Sequence, residues 1–333
     1  MTSNIELWNQ VVKSIVPPNR EQCIWNSCKK KNKLALVIVE PRCHELLAGV
    51  LYNMAHIYGG TDASLYLFHG NHNIEFINNI IGQWSGVHLV NLNVNNLALH
   101  QYNSLLTNIT FWEHFDSEYV LIFQTDTLIL KTIHPFYFQY DYIGAPWTKK
   151  WTGKHVGNGG FSLRKLSTMK EICQTKINDS SNEDYFFSSR LSSTKIAPLS
   201  IARTFAVEEI YYQCPYGLHK AYKYLTQIEL VSLLLQIPHV SMETQQSLNS
   251  LLPLKRINYL LHPISGIRYG GNQVYIDVTH VFVSMIMNGC KLFKVSNYLF
   301  GDPIYLVPKQ LIIEFTDGTE VRFSEGDDVI VKE

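Results

Sequence analysis

A carboxylate at the end of a buried strand is the first residue in this chain whose position suggests chemistry. Residues 119–123 read YVLIF, a run typical of a strand covered on both faces, and Gln124, Thr125 and Asp126 follow it directly. A buried carboxylate without a partner is unfavourable and usually finds a cation, a metal or solvent. Ligands of open α/β sheets bind beyond the carboxyl ends of strands. Asp126 is therefore a candidate for holding a divalent metal against a phosphorylated ligand; a loop-capping aspartate is the alternative.

Two further segments combine polar groups with turn or helix-start residues. Residues 156–164 read VGNGGFSLR, and the glycines around Asn158 allow close approach of a ligand or positive φ, although a plain turn also explains them. Glu183 and Asp184 follow Asn182 where a helix is expected to begin. Acids in a first turn complement the helix dipole, which is one explanation for the pair. The other is that one of the two carboxylates takes a proton from a substrate hydroxyl.

A histidine near the middle of the chain is a candidate partner for the strand-end aspartate. Residues 216–222 read YGLHKAY, which places His219 after a glycine turn and before Lys220. A lone histidine is more often a packed or surface residue than a ligand. Together with Asp126, however, His219 would complete a mixed oxygen and nitrogen site suited to Mn²⁺ or Mg²⁺.

Short β-rich runs alternate with helix-period segments upstream of Asp126, which predicts an α/β fold with a mainly parallel sheet flanked by helices. The predicted strands are 34–39, 64–68, 87–92 and 119–123, and the predicted helices are 44–59, 74–84 and about 98–114. The predicted domains are a lead-in at 1–33, the α/β domain at 34–225, a helical linker at 226–262 and a small β-rich domain at 263–333. In the last of these, Asp317 and Gly318 predict a hairpin turn.

Composition excludes several classes of protein. Hydrophobic residues make up 46% and charged residues 17% of the 333 residues, which indicates a folded globular protein. The formal net charge of +0 gives no general indication that the chain binds nucleic acid or an anionic membrane. No apolar run approaches the roughly 20 residues that cross a bilayer, and the first residues do not resemble a secretory signal. The six cysteines show neither metal-site spacing nor the density of a disulfide scaffold, so we expect free thiols and a cytoplasmic location.

The motifs occur in an order that resembles one known family. The segments are VIVEPRCHELLAGVLYNMAHIYG, LYLFHGNHN, FQTDTLIL, DYIGAPW, VGNGGFSLR, NEDYFFS, FAVE and PYGLHK, over about 34–225. They resemble glycosyltransferase-like proteins of uncharacterised specificity, known from giant viruses, bacteria and fungi; in a viral member the location would be the host cytoplasm. The resemblance implies a GT-A type nucleotide-sugar transferase, with a Rossmann-like sheet whose Asp-x-Asp-like motif binds the metal and diphosphate. Here Gln124 occupies the first position, which leaves Asp126 as the only carboxylate of the motif.

The resemblance also implies roles for individual residues. His219 becomes the second metal ligand, and Glu183 with Asp184 resembles the acidic pair that supplies the base of inverting members. Trp147 is expected to stack on an acceptor ring. The residues expected to bind the donor, a UDP- or GDP-sugar, are Glu40, Arg42, Gln124, Thr125, Asn158, Gly159, Gly160 and Lys220. The acceptor would be a glycan or a protein, and self-association is left open.

Two alternatives to a transferase remain. One is a catalytically inactive protein that binds a nucleotide sugar, and Gln124 in place of an acid supports it. The other is an adaptor that works through the C-terminal β unit. The segments YGGNQVYIDVT, NYLFGDPIYLVPKQLIIEF and EGDDVIV resemble a small domain attached to some DnaJ-type proteins, which suggests a module for contact or positioning.

Overall fold

The structure is a computed structural model, and its described residues form two compact units. It describes residues 2–26, 33–151, 154–175, 181–251, 255–258, 264–287, 290 and 292–332. The first unit comprises Met1–Gln227 and Ile237–Thr244, and the second comprises Ile228–Gln236 and Gln245–Glu333. None of the described helices is both long enough and apolar enough to span a membrane.

Helices and strands alternate through most of the first unit. Its strands are β1 (Leu34–Val39), β2 (Ser64–His69), β3 (His88–Asn91), β4 (Tyr119–Phe123), β5 (Thr127–Ile129), β6 (Tyr142–Gly144), β7 (Pro146–Trp151), β8 (Lys154–Val156), β9 (Phe161–Lys165), β10 (Ala206–Val207) and β11 (Gly217–His219). The first eight helices of the chain are α1 (Asn4–Lys13), α2 (Leu47–Tyr58), α3 (Ile74–Ile81), α4 (Leu99–Leu106), α5 (Ile109–Glu113), α6 (Leu166–Thr175), α7 (Glu183–Arg190) and α8 (Leu199–Phe205). Short 3₁₀ helices occur at Arg20–Cys23, Pro135–Gln139 and Ala221–Lys223.

A six-stranded sheet in the order β3-β2-β1-β4-β9-β6 forms the core of the first unit. β3, β2, β1 and β4 are parallel, whereas β9 is antiparallel to both β4 and β6. Helix α6 packs against β9 and α8 against β6. The side chains of Leu36, Val37, Leu121 and Ile122 are fully buried, because the central parallel strands are covered on both faces. The predicted α/β class with a mainly parallel sheet is confirmed.

The helix predicted over about 98–114 is two helices, α4 and α5. Thr107 Oγ1 donates to Asn103 O at 2.8 Å, and Asn108 Oδ1 accepts from Thr110 N at 3.0 Å. Asn108 is therefore the N-cap of α5. Side chains of this type satisfy the backbone locally, and they end one helix and begin the next within an apparently continuous pattern.

The second unit is rich in β structure, as predicted. Its strands are β12 (Lys255–Asn258), β13 (Ile264–Gly271), β14 (Val274–Asp277), β15 (Leu292–Lys294), β16 (Gln310–Phe315), β17 (Glu320–Ser324) and β18 (Asp328–Lys332). The remaining helices of the chain are α9 (Gln227–Leu234), α10 (Met242–Ser250), α11 (Thr279–Met287) and α12 (Asn297–Phe300). The sheet orders are β14-β13-β16-β17, all antiparallel, and β12-β18-β15, in which β12 and β18 are parallel.

Two sequence expectations about this region have different outcomes. The hairpin turn at Asp317 and Gly318 is confirmed: it joins β16 to β17, and Gly318 has φ +82°. The segment predicted as a helical linker, 226–262, contains strand β12 as well as helices. Residues 255–258 form that strand because they pair with β18, a partner distant in the sequence that a local pattern does not show.

The expectation of free thiols is confirmed for Cys23, Cys43 and Cys173. It is wrong for Cys214 and Cys290, each of which is disulfide-bonded. Cys28 lies outside the described residues. Count and spacing alone do not indicate which thiols lie close enough to bond, and cysteine usage no longer supports a cytoplasmic location.

Candidate functional site

Several of the predicted site residues lie at one edge of the large sheet, beyond the carboxyl ends of its parallel strands. β1 and β4 are parallel, so Glu40 and Arg42, which follow β1, lie at the same edge as Gln124 and Asp126, which follow β4. β9 runs the opposite way, and Phe161 pairs with Phe123. The glycine loop that precedes β9 therefore reaches this edge from the other direction.

A smaller sheet brings His219 beside Asp126. In the antiparallel pairing of β5 with β11, Thr127 lies opposite His219. Lys220 N then donates to Asp126 O at 3.0 Å. As a result, His219 Nε2 lies 3.3 Å from Asp126 Oδ1. The two residues predicted as metal ligands are neighbours because of a strand register.

Charges of opposite sign alternate around Asp126. His219 Nδ1 lies 3.3 Å from Glu208 Oε1, and Lys220 Nζ lies 3.5 Å from Asp126 Oδ2. Burial by itself raises the pKa of Asp126, but the close contact with His219 and the charges of His219 and Lys220 lower this pKa to about 2. Burial by itself lowers the pKa of His219, and its contacts with Asp126 and Glu208 outweigh burial and raise it. The site thus favours an anion at Asp126 and positive charge beside it, carried by a protonated imidazole or by a cation bound in place of that proton.

Three side chains at this point fit a divalent cation. Asp126 Oδ1 is buried and has no hydrogen-bond partner within the described residues, and Gln124 Oε1 lies 3.3 Å from His219 Nε2. Octahedral bonds of about 2.1 Å place neighbouring ligand atoms about 3 Å apart. Among the described residues, no group of three or more His, Cys, Asp or Glu side chains could hold a metal. An ion here would therefore depend on Asp126, His219 and the amide oxygen of Gln124, together with oxygens of its ligand.

The glycines of the 156–164 loop bring backbone close to protein side chains. A Cβ atom at Gly160 would lie 2.1 Å from His219 Nε2, and one at Gly159 would lie 1.9 Å from Glu183 Oε1. The sequence predicted close approach to a ligand, positive φ or a plain turn for this loop. Gly159 packs against an ion pair, and Gly160 lies against the imidazole and also lines a cavity.

Glu183 is held in a buried ion pair with Arg164. Its Oε2 accepts from Arg164 Nη1 at 2.6 Å and its Oε1 from Nη2 at 3.1 Å. The Arg164 side chain is 0% exposed, and its guanidinium lies 4.9 Å from the centre of the Tyr142 ring. Both oxygens of Glu183 are therefore engaged, which disfavours this residue as the base of the predicted acidic pair.

Glu183→Ala should destabilise the first unit strongly. It leaves the Arg164 guanidinium buried without a counter-charge, and breaking a buried pair in this way typically costs about 3–5 kcal/mol. Urea denaturation measures the change. Glu45→Ala is the control, because Glu45 pairs with Lys13 on the exposed surface, where an ion pair contributes little. Equal unfolding midpoints for the two variants would contradict a structural role for Glu183.

Asp184 lies beside this pair and has a different environment. Burial, followed by the negative charge of Glu183, raises the pKa of Asp184 to about 7. A carboxyl group with a pKa near 7 is suited to accepting a proton at neutral pH.

The start of α7 is fixed by Asn103, whose Oδ1 accepts from Glu183 N and whose Nδ2 donates to Asn182 Oδ1, both at 3.2 Å. No sequence signal indicated Asn103.

Three neighbouring cavities form a groove along this edge of the sheet. Their volumes are about 240, 410 and 470 Å³, and we call them the first, second and third cavities. The first and second share Tyr102, Gln124 and Lys220. The second and third share Asn182 and Asp184. The groove therefore leads from the ends of β1 and β4 to the start of α7.

Other predicted residues lie along this groove. Thr125 and the Glu40–Arg42 pair line the first cavity, and Trp147 lines the third. Arg42 Nε and Nη2 donate to the two carboxylate oxygens of Glu40 at 2.8 Å. Glu40 is buried, whereas about half of the Arg42 side chain is exposed. Glu40 thus orients Arg42, and Arg42 is the group available to a ligand.

Comparison with known proteins gives a sequence match over part of the chain. A family model described as a protein of unknown function, DUF5672, matches residues 87–219, which include Asp126, Asp184, Glu208 and His219. No curated protein matches the chain in sequence.

Three solved structures are similar to the chain in fold. The first is the galactosyltransferase LgtC in complex with donor and acceptor sugar analogues, with a TM-score of 0.42 and 9% identity over 64% of this chain and 99% of that chain. The second is TarS 1–349 of S. aureus, with a TM-score of 0.40 and 12% identity over 66% of this chain and 69% of that chain. The third is the glycosyltransferase GlyE of Streptococcus pneumoniae TIGR4, with a TM-score of 0.35 and 10% identity over 60% of this chain and 56% of that chain. At these identities and TM-scores the likeness carries no argument about activity, so any functional conclusion depends on the site itself.

Proposed function

We propose that this chain is a metal-assisted, inverting glycosyltransferase that moves a sugar from a UDP- or GDP-sugar to a hydroxyl of a glycan or protein. One observation supports the proposal above others. A single groove carries cation-binding and basic groups around Asp126 at one end and a carboxyl group of raised pKa, Asp184, towards the other. A sugar diphosphate and an acceptor hydroxyl require these two environments side by side.

The donor would lie in the first and second cavities, with its diphosphate beside Asp126. Lys220 has φ +49°, a left-handed conformation that is uncommon for a residue with a side chain, and its N–H is bonded to Asp126 O. Its ammonium group lies 3.5 Å from Asp126 Oδ2, beside the point where the diphosphate would lie. Asp126, His219 and the Gln124 oxygen would hold Mn²⁺ or Mg²⁺, which when bound stabilises the negative charge that develops on the leaving diphosphate.

The acceptor would lie in the third cavity. Trp147, Asn182, Asp184, Tyr185 and Glu209 line this cavity, and none of these described residues is basic. Aromatic rings and carboxylates together suit the apolar faces and hydroxyls of a neutral sugar, whereas an anionic acceptor would be repelled.

Asp184 acts as the general base of the proposed reaction. It takes the proton of the acceptor hydroxyl while that oxygen forms a bond to the anomeric carbon of the donor sugar. The bond between this carbon and the diphosphate oxygen breaks, and its electron pair leaves with the nucleoside diphosphate. Attack and departure on opposite faces invert the configuration at the anomeric carbon.

A binding protein without catalysis is the second candidate. Gln124 in place of an acid favours it. A protonated His219 would also balance the charges of Asp126 and Glu208, since each carboxylate lies 3.3 Å from one ring nitrogen. The site therefore has a stable state that needs no metal.

A panel of UDP- and GDP-sugars separates these candidates. We expect the full chain with Mn²⁺ to release nucleoside diphosphate slowly from one class of donor, because transferases leak activated sugar to water. Release should stop when EDTA removes the metal. Saturable donor binding with no release supports the second candidate, and the absence of both binding and release contradicts the proposed function.

A further inference from the structure

We propose that Glu208 is a positioning residue, which holds the His219 imidazole so that its Nε2 atom faces Asp126. The inference deepens the proposed function and rests on it, since Nε2 is the atom expected to bind the divalent ion. No sequence pattern assigned Glu208 a part in metal binding.

The contact between the two side chains is buried. Glu208 is 4% exposed and His219 is 2% exposed, and Glu208 Oε1 lies 3.3 Å from His219 Nδ1. Glu208 follows β10, which pairs in parallel with β11, the strand that ends at His219. The backbone of this small sheet therefore fixes both partners.

The second oxygen of Glu208 is fixed by the glycine loop. Asn158 Nδ2 donates to Glu208 Oε2 at 2.5 Å, and Asn158 Oδ1 accepts from Gly160 N at 3.0 Å. Asn158 is itself buried. The VGNGG motif thus positions the carboxylate as well as lining the groove: Oε2 is hydrogen-bonded to Asn158, and Oε1 is directed at the imidazole.

The contact between Glu208 and His219 matters because an imidazole that binds a metal through Nε2 carries its proton on Nδ1. A neutral imidazole carries one N–H, and a carboxylate beside Nδ1 stabilises the tautomer with the proton on Nδ1. In the metal-bound site the lone pair of Nε2 would face the cation that Asp126 Oδ1 and Gln124 Oε1 also contact. Without a metal, these two oxygens favour a proton on Nε2 instead. Histidines that bind metals commonly donate their second ring N–H to a carboxylate in this way, which fixes the ring and increases its basicity as a ligand.

Metal binding by the full chain tests the first consequence. We expect Glu208→Ala to weaken Mn²⁺ binding by about 10- to 100-fold, as measured from the EPR signal of the free ion. Glu208→Gln should bind with intermediate affinity, because its amide oxygen still accepts from Nδ1–H. Glu45→Gln is the control: Glu45 pairs with Lys13 on the exposed surface, does not line the groove and should leave Mn²⁺ affinity at the wild-type value. Wild-type affinity in both Glu208 variants would overturn the proposal.

The orientation of the His219 ring tests the second consequence without metal. In metal-free crystals we expect the wild-type ring to keep Nδ1 beside Glu208 and Nε2 beside Asp126. In Glu208→Ala we expect the ring to rotate away from this orientation. An unchanged ring in that variant would overturn the proposal. If the wild type binds no Mn²⁺, the metal part of the proposed function fails, while the ring orientation still decides the role of Glu208.

Discussion

Asp126→Ala should abolish sugar transfer and the Mn²⁺-dependent binding of UDP or GDP. Asp126 is the only carboxylate of its motif, and its Oδ1 atom is buried without a hydrogen-bond partner within the described residues, 3.3 Å from the imidazole. Alanine removes the anion that holds the cation, and with it the stabilisation of the leaving diphosphate. Losing one electrostatic contribution of this kind typically costs about 10²–10³-fold in rate, and we expect at least that loss.

Calorimetry with each nucleoside diphosphate, with and without Mn²⁺, separates binding from turnover in this variant. Asp62→Ala provides the control, because Asp62 is an exposed aspartate of the first unit that does not line the groove. Full transfer by Asp126→Ala would show that transfer does not require a metal at Asp126. Lys220 alone would then stabilise the leaving diphosphate.

Asp184→Asn should stop transfer while leaving donor binding intact. Asparagine has nearly the same shape but cannot take a proton, and losing a general base typically costs about 10²- to 10⁴-fold in rate. Single-turnover transfer and donor titration of the same protein measure the two properties. Unchanged donor affinity shows that the groove is still folded. Persisting turnover would instead show that a group other than Asp184 takes the proton, or indicate a retaining mechanism without a protein base.

The pH dependence of transfer follows from the same carboxyl group. Burial and the charge of Glu183 raise the pKa of Asp184 to about 7, so the group is protonated and inactive as a base below that pH. We expect kcat/KM of the wild type to rise as pH increases through about 7 and then to level off. The residual activity of Asp184→Asn should lack this rise. A wild-type profile that is flat between pH 5 and 9 would contradict the assignment.

The sequence predicted the fold where local patterns carry the information. Buried parallel strands such as residues 34–39 and 119–123 are continuous apolar runs, because both of their faces are covered. Asp126 was recognisable because a carboxylate at the end of such a run needs a partner. The split between α4 and α5 was missed, since it depends on a cap at Asn108 that competes with an otherwise helical pattern.

The polar network around the candidate ligands could not be predicted in the same way. Arg164 lies within a strand, and its pairing with Glu183 depends on how β9 meets the start of α7. Glu208 acts on His219 only because β10 and β11 are paired. The glycine loop indicated that something approaches closely, but not that its neighbours are an imidazole and an ion pair. Contacts of this kind arise from register and packing between distant segments, which have no signature in local spacing.

The most direct measurement is a crystal structure of the chain with UDP or GDP and Mn²⁺, with the ion located by its anomalous scattering. We expect a manganese peak within about 2.3 Å of Asp126 Oδ1 and His219 Nε2, with diphosphate oxygens completing its coordination. A diphosphate bound in the groove with no manganese at that point, or a manganese ion held elsewhere, would contradict this expectation.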